Sequence, residues 1–99
     1  MNYKLITRHF EVSKDFAIRV DKKMEKLSKF DKWINHIEVI INEEGDRRDT
    51  EINVFLDNKQ INAKEEGKDA YQTFSKAFTK IKKQIRKFED QVTDHYVEH

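Results

Sequence analysis

DAYQTFSKAFTKIKKQIRKFEDQV, residues 69–92, carries two stripes at helical spacing, and the relation between them governs how the rest of the chain is read. Tyr71, Phe74, Ala77, Phe78, Ile81, Ile85, Phe88 and Val92 recur every three or four positions, which at about 100° per residue puts them on one face of a helix. That face has to rest on a core. Lys76, Lys80, Lys83 and Lys87 repeat with a similar period on positions opposite or beside it, and no acidic residue lies between Lys76 and Lys87. They are expected in water, within reach of a polyanion. Asp69 stands where an N-cap belongs, with Gln72 three residues on and Gly67 just before, a capping-box arrangement.

Composition bounds what this helix can belong to. With 99 residues and 36% hydrophobic content, the chain suffices for one domain, 1–99, with a modest core, and not for two. Cysteine is absent, which removes disulfides, thiolate zinc sites and cysteine nucleophiles and fits a reducing, cytoplasmic compartment. The first twenty residues interleave charged and apolar groups, so neither a signal peptide nor a membrane span is expected, and the mature chain is expected to start near Met1. Net charge is only +1 although 39% of residues are charged, so the distribution matters more than the sum. Glu38 to Glu66 holds nine acids and four bases, Lys14 to Lys32 seven bases and four acids, and Lys76 to Lys87 six bases and no acid. A molecule built this way presents a basic side and an acidic side, which favours oriented docking on an anionic partner.

Working back toward the N-terminus, Tyr3-Lys4-Leu5-Ile6-Thr7 alternates as a short strand with Tyr3, Leu5 and Thr7 on one face. Ser13 is placed to cap a helix whose apolar stripe is Phe16, Val20, Met24 and Leu27, with Phe30 closing it. Ile37, Val39 and Ile41, then Ile52, Val54 and Leu56, alternate with their neighbours and predict two antiparallel strands around a polar loop at Glu43 to Asp49. A turn at Asp57-Asn58 leads to a third hairpin strand with Ile61 and Ala63 inward, ended by Glu65-Glu66-Gly67. The order is β-α-β-β-β-α. Two singly striped helices and a sheet with one strongly apolar face predict an α+β two-layer sandwich: a four-stranded mixed sheet, both helices on one face, and the first two strands parallel through a right-handed crossover. Ile6, Ile40 and Phe55 fall on the outer sheet face, either as scattered exposed apolar groups or as a partner surface.

The first helix sorts its charges too. Arg19, Lys22, Lys23, Lys26 and Lys29 gather on one flank while Asp21 and Glu25 lie on the other. Lysines on a solvent face ordinarily serve solubility and helix propensity. Two basic helices side by side are a stronger signal, because Arg19, Lys22, Lys23, Lys26, Lys29, Lys76, Lys80, Lys83 and Lys87 can then merge into one field for phosphates. Lysine outnumbers arginine among them, which suits flexible phosphate contact and shape recognition of folded RNA more than base reading. His9 beside Arg8 at a strand end is the one histidine placed near RNA. His9, His36, His95 and His99 have no metal-ligand spacing apart from the last two, four apart at the terminus, and neither metal nor cofactor is expected. No nucleophile, carboxylate pair or glycine-rich phosphate loop is recognisable, so neither an enzyme nor a small-molecule substrate is expected. Trp33 reads as a half-buried hinge and Tyr71 as core, and neither is taken as a base-stacking platform. Two other functions remain open at this point. A free-standing double-stranded RNA binder has the order α-β-β-β-α, which the leading strand here disfavours. A protein-interaction module using the acidic hairpin would keep its binding after loss of the helical lysines.

In this order and spacing, Arg8-His9-Phe10-Glu11-Val12-Ser13 after the opening strand, Lys23-Met24-Glu25-Lys26-Leu27, Glu66-Gly67-Lys68-Asp69-Ala70-Tyr71, and Lys80-Ile81 with Gln84-Ile85 and Lys87 resemble the ribosome hibernation promoting factor and ribosome-associated inhibitor family. The resemblance covers nearly the whole chain. It implies a stress-related inhibitor of translation that binds the small ribosomal subunit through ribosomal RNA, in the channel otherwise holding messenger RNA and the A- and P-site transfer RNAs. It also implies a short form without acidic tail or added dimerisation domain, monomeric when free. Ala17 and Glu65 depart from the family pattern, which tends to a base and a small residue there.

Overall fold

The computed structural model describes residues 2–97, with side chains through Thr93. Its elements are β1 (Tyr3–Arg8), α1 (Lys14–Met24), a 3-10 segment (Glu25–Phe30), β2 (Ile34–Glu44), β3 (Arg47–Leu56), β4 (Gln60–Gly67) and α2 (Ala70–Val97). The strands lie in the order β1-β2-β3-β4, with β1 parallel to β2 and the other neighbours antiparallel. Both helices pack on the same face, so the expected two-layer α+β architecture is the observed one. His95 and His99, noted above for their spacing, lie outside the described side chains.

Register follows from alternation. Leu5, Val39, Ile52 and Ala63 stand side by side across the four strands, and Tyr3, Ile37, Val54 and Ile61 form the next rung. A slip of one residue would turn every one of these toward water. Phe16, Val20, Met24, Leu27 and Phe30 from the first helical segment and Phe74, Ala77, Phe78, Ile81 and Ile85 from α2 close over them in one cluster. On the opposite face Ile6 and Ile40 are neighbours in the rung that continues through Glu51 and Lys64. Both are half-buried, as is Phe55, which stacks on His36 at 5.8 Å.

Helix starts are fixed by local chemistry. The Ser13 hydroxyl accepts the Phe16 N–H at 3.0 Å, and the Asp69 carboxylate accepts the Gln72 N–H at 2.8 Å. Each satisfies one of the donors a helix leaves open. At the β4–α2 junction a Cβ on Gly67 would stand 2.9 Å from the Thr73 hydroxyl. That hydroxyl is itself anchored, donating to the Asp69 carbonyl at 2.7 Å, so it has no room to yield.

Two local expectations are corrected. The first helix does not run uniformly to Phe30: it tightens to a 3-10 helix after Met24. Met24, Leu27 and Phe30 are each three apart, which is the 3-10 period, so the tighter winding keeps all three on the core. The loop expected at Glu43 to Asp49 is instead a turn with only Gly45 and Asp46 outside the strands. Opposite charges let the ladder continue: Arg48 pairs with Glu43 at 3.1 Å, and Arg47 with Glu44 at 3.2 Å and Asp49 at 3.0 Å. The two cross-strand pairs, Arg48–Glu43 and Arg47–Glu44, favour register, and Gly45, at φ 62, takes the left-handed position that a tight hairpin turn requires.

The Tyr3 hydroxyl donates to Asp21 at 3.0 Å, tying β1 to α1. Burial first, then the Asp21 hydrogen bond and the charges of Asp21 and Glu25, push its pKa up from 10.0 to about 12. In the unfolded chain this phenol ionises near its ordinary value, so the folded state resists ionisation and its stability falls as pH rises through that window. Tyr3→Phe is therefore expected to lose less stability than the parent between pH 8 and 11. Urea unfolding at both pH values checks this, and equal losses would show that folding does not hold the Tyr3 phenol in its protonated form.

Candidate nucleic-acid interface

Contacts between the two helices pair rising residue numbers with rising residue numbers. Arg19 lies over the Tyr71 ring at 3.8 Å, and Lys23 donates to the Ser75 hydroxyl at 3.0 Å while standing 5.6 Å from the Phe78 ring centroid. The helices therefore run in the same direction with a furrow between them. One wall carries Arg19, Lys23, Lys26 and Lys29. The other carries Lys82 and Arg86, one and two turns beyond Phe78. Lys82 feels Lys23, Lys26 and Lys29 of the facing wall. Its pKa is lowered, chiefly by the charge of Lys29, then by partial loss of water, then by Arg86, Lys26 and Lys23.

The nearby acids of α1 and the 3-10 segment do not relieve that crowding. Asp21 is held by Tyr3, and Glu25 lines a shallow depression with Tyr3 and Ile18 on the opposite flank. On α2, Glu89 accepts the Trp33 indole N–H at 3.1 Å. Among the described residues no ion pair involves Arg19, Lys23, Lys26, Lys29, Lys82 or Arg86, whereas Arg47 and Arg48 are both paired on the hairpin. Cations neutralised on one side of the molecule and left unpaired on the other make a polarised surface. At its far end Lys32 lies over Trp33 at 4.7 Å, and Trp33 meets Phe88 edge-on at 6.0 Å.

The remaining residues singled out in the sequence are distributed more widely. Lys76, Lys83 and Lys87 are exposed, roughly opposite the apolar stripe of α2. Lys80 is on the flank facing β4, where it pairs with Glu65, and Gln84 on that flank donates to the Asn62 carbonyl at 3.0 Å. Lys22 is on the outer flank of α1 beside Ile18 and Glu25. Arg8 and His9 sit at the β1–α1 turn, Arg8 lining a groove of about 510 Å³ with Asn42, Asp49 and Glu66, and His9 exposed at φ 56. The structure thus brings Arg19, Lys23, Lys26 and Lys29 together, leaves the named lysines of α2 outside the furrow, and adds Lys82 and Arg86, which are among the six bases from Lys76 to Lys87 but not among the named lysines. Their four-residue spacing, on the same flank as Ser75 and Phe78, was the available signal. A wheel for one helix does not say which flank meets the other helix.

The family model described as sigma 54 modulation protein / S30EA ribosomal protein matches residues 3–93. The chain belongs to that family. The resemblance carried by the sequence motifs is thereby borne out, and S30EA membership supports a ribosome-associated, hibernation-type role in a class of proteins that are not enzymes. Among solved structures, a ribosomal subunit interface protein from Coxiella burnetii is similar with a TM-score of 0.82 at 22% identity, covering 91% of this chain and 99% of that one. The N-terminal domain of Thermus thermophilus Protein Y is similar with a TM-score of 0.73 at 27% identity, covering 89% and 99% respectively. No curated protein matches the chain in sequence. Among the described residues, no cluster of three or more His, Cys, Asp or Glu could hold a metal, and no helix is long and apolar enough to cross a membrane.

Proposed function

We propose that residues 1–99 act as a single ribosome-binding domain, monomeric when free and cytoplasmic, that binds ribosomal RNA of the small subunit and inhibits translation by occupying the channel for messenger RNA and A- and P-site transfer RNA. The observation that carries this reading is the unpaired cation furrow between α1 and α2, on the fold of a ribosomal protein family. A lysine-rich furrow with few hydrogen-bonding partners of its own suits phosphates presented by a folded RNA. Lys76, Lys83 and Lys87 extend the basic surface around the back of α2, and Lys22, Arg8 and His9 approach RNA from the flank and from the strand end. Lys80 contributes less, since Glu65 already neutralises it.

Sedimentation tests the reading directly. The protein is expected to pellet with small subunits and not with large ones at moderate salt. Binding should weaken steeply as salt rises, because each phosphate contact adds about 0.7 to 0.9 to the log–log slope. Subunits preloaded with messenger RNA and initiator transfer RNA should exclude it. Equal binding to loaded and empty subunits would remove the channel from the proposal, and salt-independent binding would remove the RNA phosphates.

A further inference from the structure

The threonine hydroxyls of α2 are used by the helix itself. Thr73 donates to the Asp69 carbonyl at 2.7 Å, Thr79 to the Ser75 carbonyl at 3.1 Å and Thr93 to the Glu89 carbonyl at 2.6 Å, the back-bond that a hydroxyl inside a helix commonly makes. Among the described residues Ser75 makes no such bond, and its oxygen instead accepts the Lys23 Nζ of α1 at 3.0 Å. A serine hydroxyl has one donor and two acceptor positions, so the Ser75 O–H is still free to donate. Lys23 is equally distinct. Lys14, Lys22, Lys26 and Lys29 are exposed, whereas Lys23 is half-buried, its Nζ 5.8 Å from the Tyr71 ring centroid and 5.6 Å from that of Phe78. An ammonium drawn out of water is ordinarily matched by a carboxylate, yet among the described residues Lys23 has no ion pair, and Ser75 is its hydrogen-bond partner. Arg19 lies over the same Tyr71 ring at 3.8 Å, and Ser75 follows Tyr71 by one helical turn, about 5.4 Å along the axis. Two cations and one neutral donor are thus gathered around a single aromatic ring where the helices meet.

We propose that Ser75, Lys23 and Arg19 form a seat for one phosphate group, in which the Ser75 O–H donates to a phosphate oxygen while the two cations match its charge. Serine supplies what the cations lack. A lysine alone is a point charge on a flexible stem, whereas Lys23 held by Ser75 and flanked by two rings is fixed before the anion arrives, and donors ordered in advance lose less freedom on binding. The guanidinium, laid on Tyr71, is restrained in the same way. The group recognised is a tetrahedral oxyanion, as found in an RNA phosphodiester or in free phosphate. That the phosphate belongs to ribosomal RNA rests on the proposed function, whereas the seat itself does not.

The test is titration of the whole chain with inorganic phosphate, followed by proton–nitrogen NMR of the backbone amides and lysine ammonium groups. The Lys23 ammonium and Ser75 amide signals are expected to move along a saturating curve, several-fold further than those of Lys76 and Lys83, which are exposed outside the furrow. Chloride at matched ionic strength should move them little, since it screens charge but offers no oxygen to the Ser75 O–H. Ser75→Ala should abolish the saturating response. Alanine is the stronger helix former, and a thermal melt confirms that the variant is folded. The same variant is expected to bind small subunits roughly ten-fold more weakly, with the log–log salt slope unchanged because no charge is lost. Shifts at Lys23 and Ser75 no larger than at Lys76 and Lys83, equal shifts from chloride, or a Ser75→Ala variant that responds to phosphate as the parent does, overturn the proposal. A phosphate response that Ser75→Ala loses without any change in affinity for small subunits upholds the seat and counts against the RNA-binding role of the furrow.

Discussion

Changing Lys26, Lys29, Lys82 and Arg86 together to alanine is expected to lower affinity for small ribosomal subunits by roughly 200- to 1,000-fold at about 0.15 M salt. The figure follows from counterion release alone. Four phosphate contacts contribute about 2.8 to 3.6 to the log–log salt slope, and carrying that slope from about 1 M, where the term vanishes, down to about 0.15 M gives the range. The slope itself should fall by the same amount, a signature that nonspecific weakening would not reproduce. None of the four belongs to the apolar cluster, and three of them crowd the fourth. The variant should therefore melt no lower than the parent at low salt, and inhibition of translation should be relieved in step with binding. Lys80→Ala provides the contrast, since its charge is already matched by Glu65 and its loss should change affinity far less. A folded quadruple variant with unchanged affinity and salt slope would refute the furrow as the binding surface and return attention to the acidic hairpin.

The architecture was legible because periodicity alone separates its parts. Strict alternation in Leu5, Val39, Ile52 and Ala63 places them in one rung, and the three-and-four spacing from Phe74 to Ile85 places them on one face of α2. Polarity predicts a loop at Glu43 to Asp49, yet it is a poor guide to where an exposed hairpin stops. Arg47 and Arg48 pair with Glu44 and Glu43 across the strands, so the ladder runs on through charged residues to a two-residue turn. The site was legible only in outline. Unequal charge along the chain identified both helices, and the first-helix cations Arg19, Lys23, Lys26 and Lys29 do face the furrow. For α2 the hydrophobic stripe fixes which face is inward but leaves its two flanks equivalent. Tertiary contacts break that equivalence: Ser75 receives Lys23 on one flank, and Lys80 meets Glu65 on the other. Lys82 and Arg86 acquire their significance from neighbours more than fifty residues away in sequence, which no local pattern encodes.

Phe74→Ala is expected to destabilise the domain by about 3–5 kcal/mol. Phe74 is fully buried and sits between Tyr71 and Phe78, with ring centroids 5.9 Å and 6.1 Å away, so truncation removes both its own transfer free energy and the contacts of its neighbours. Domains of this size are stable by only about 5–15 kcal/mol in total, which makes the loss a large share of what holds the fold together. Lys83→Ala on the water-facing side of the same helix should change stability by no more than about 0.5 kcal/mol. Urea unfolding separates the two through the midpoint, with the slope unchanged if the denatured state is unaltered. A loss below about 1 kcal/mol for Phe74→Ala would mean that the site collapses freely, contradicting one well-packed cluster between α2 and the sheet. The furrow should register the same substitution while the domain is still folded. Phe74 supports Tyr71, Tyr71 carries Arg19 on its ring at 3.8 Å, and freeing that ring releases the guanidinium from the position that α1 and α2 jointly give it. Subunit affinity at low temperature should therefore drop in the folded variant, without the change in salt slope that marks the loss of a charge.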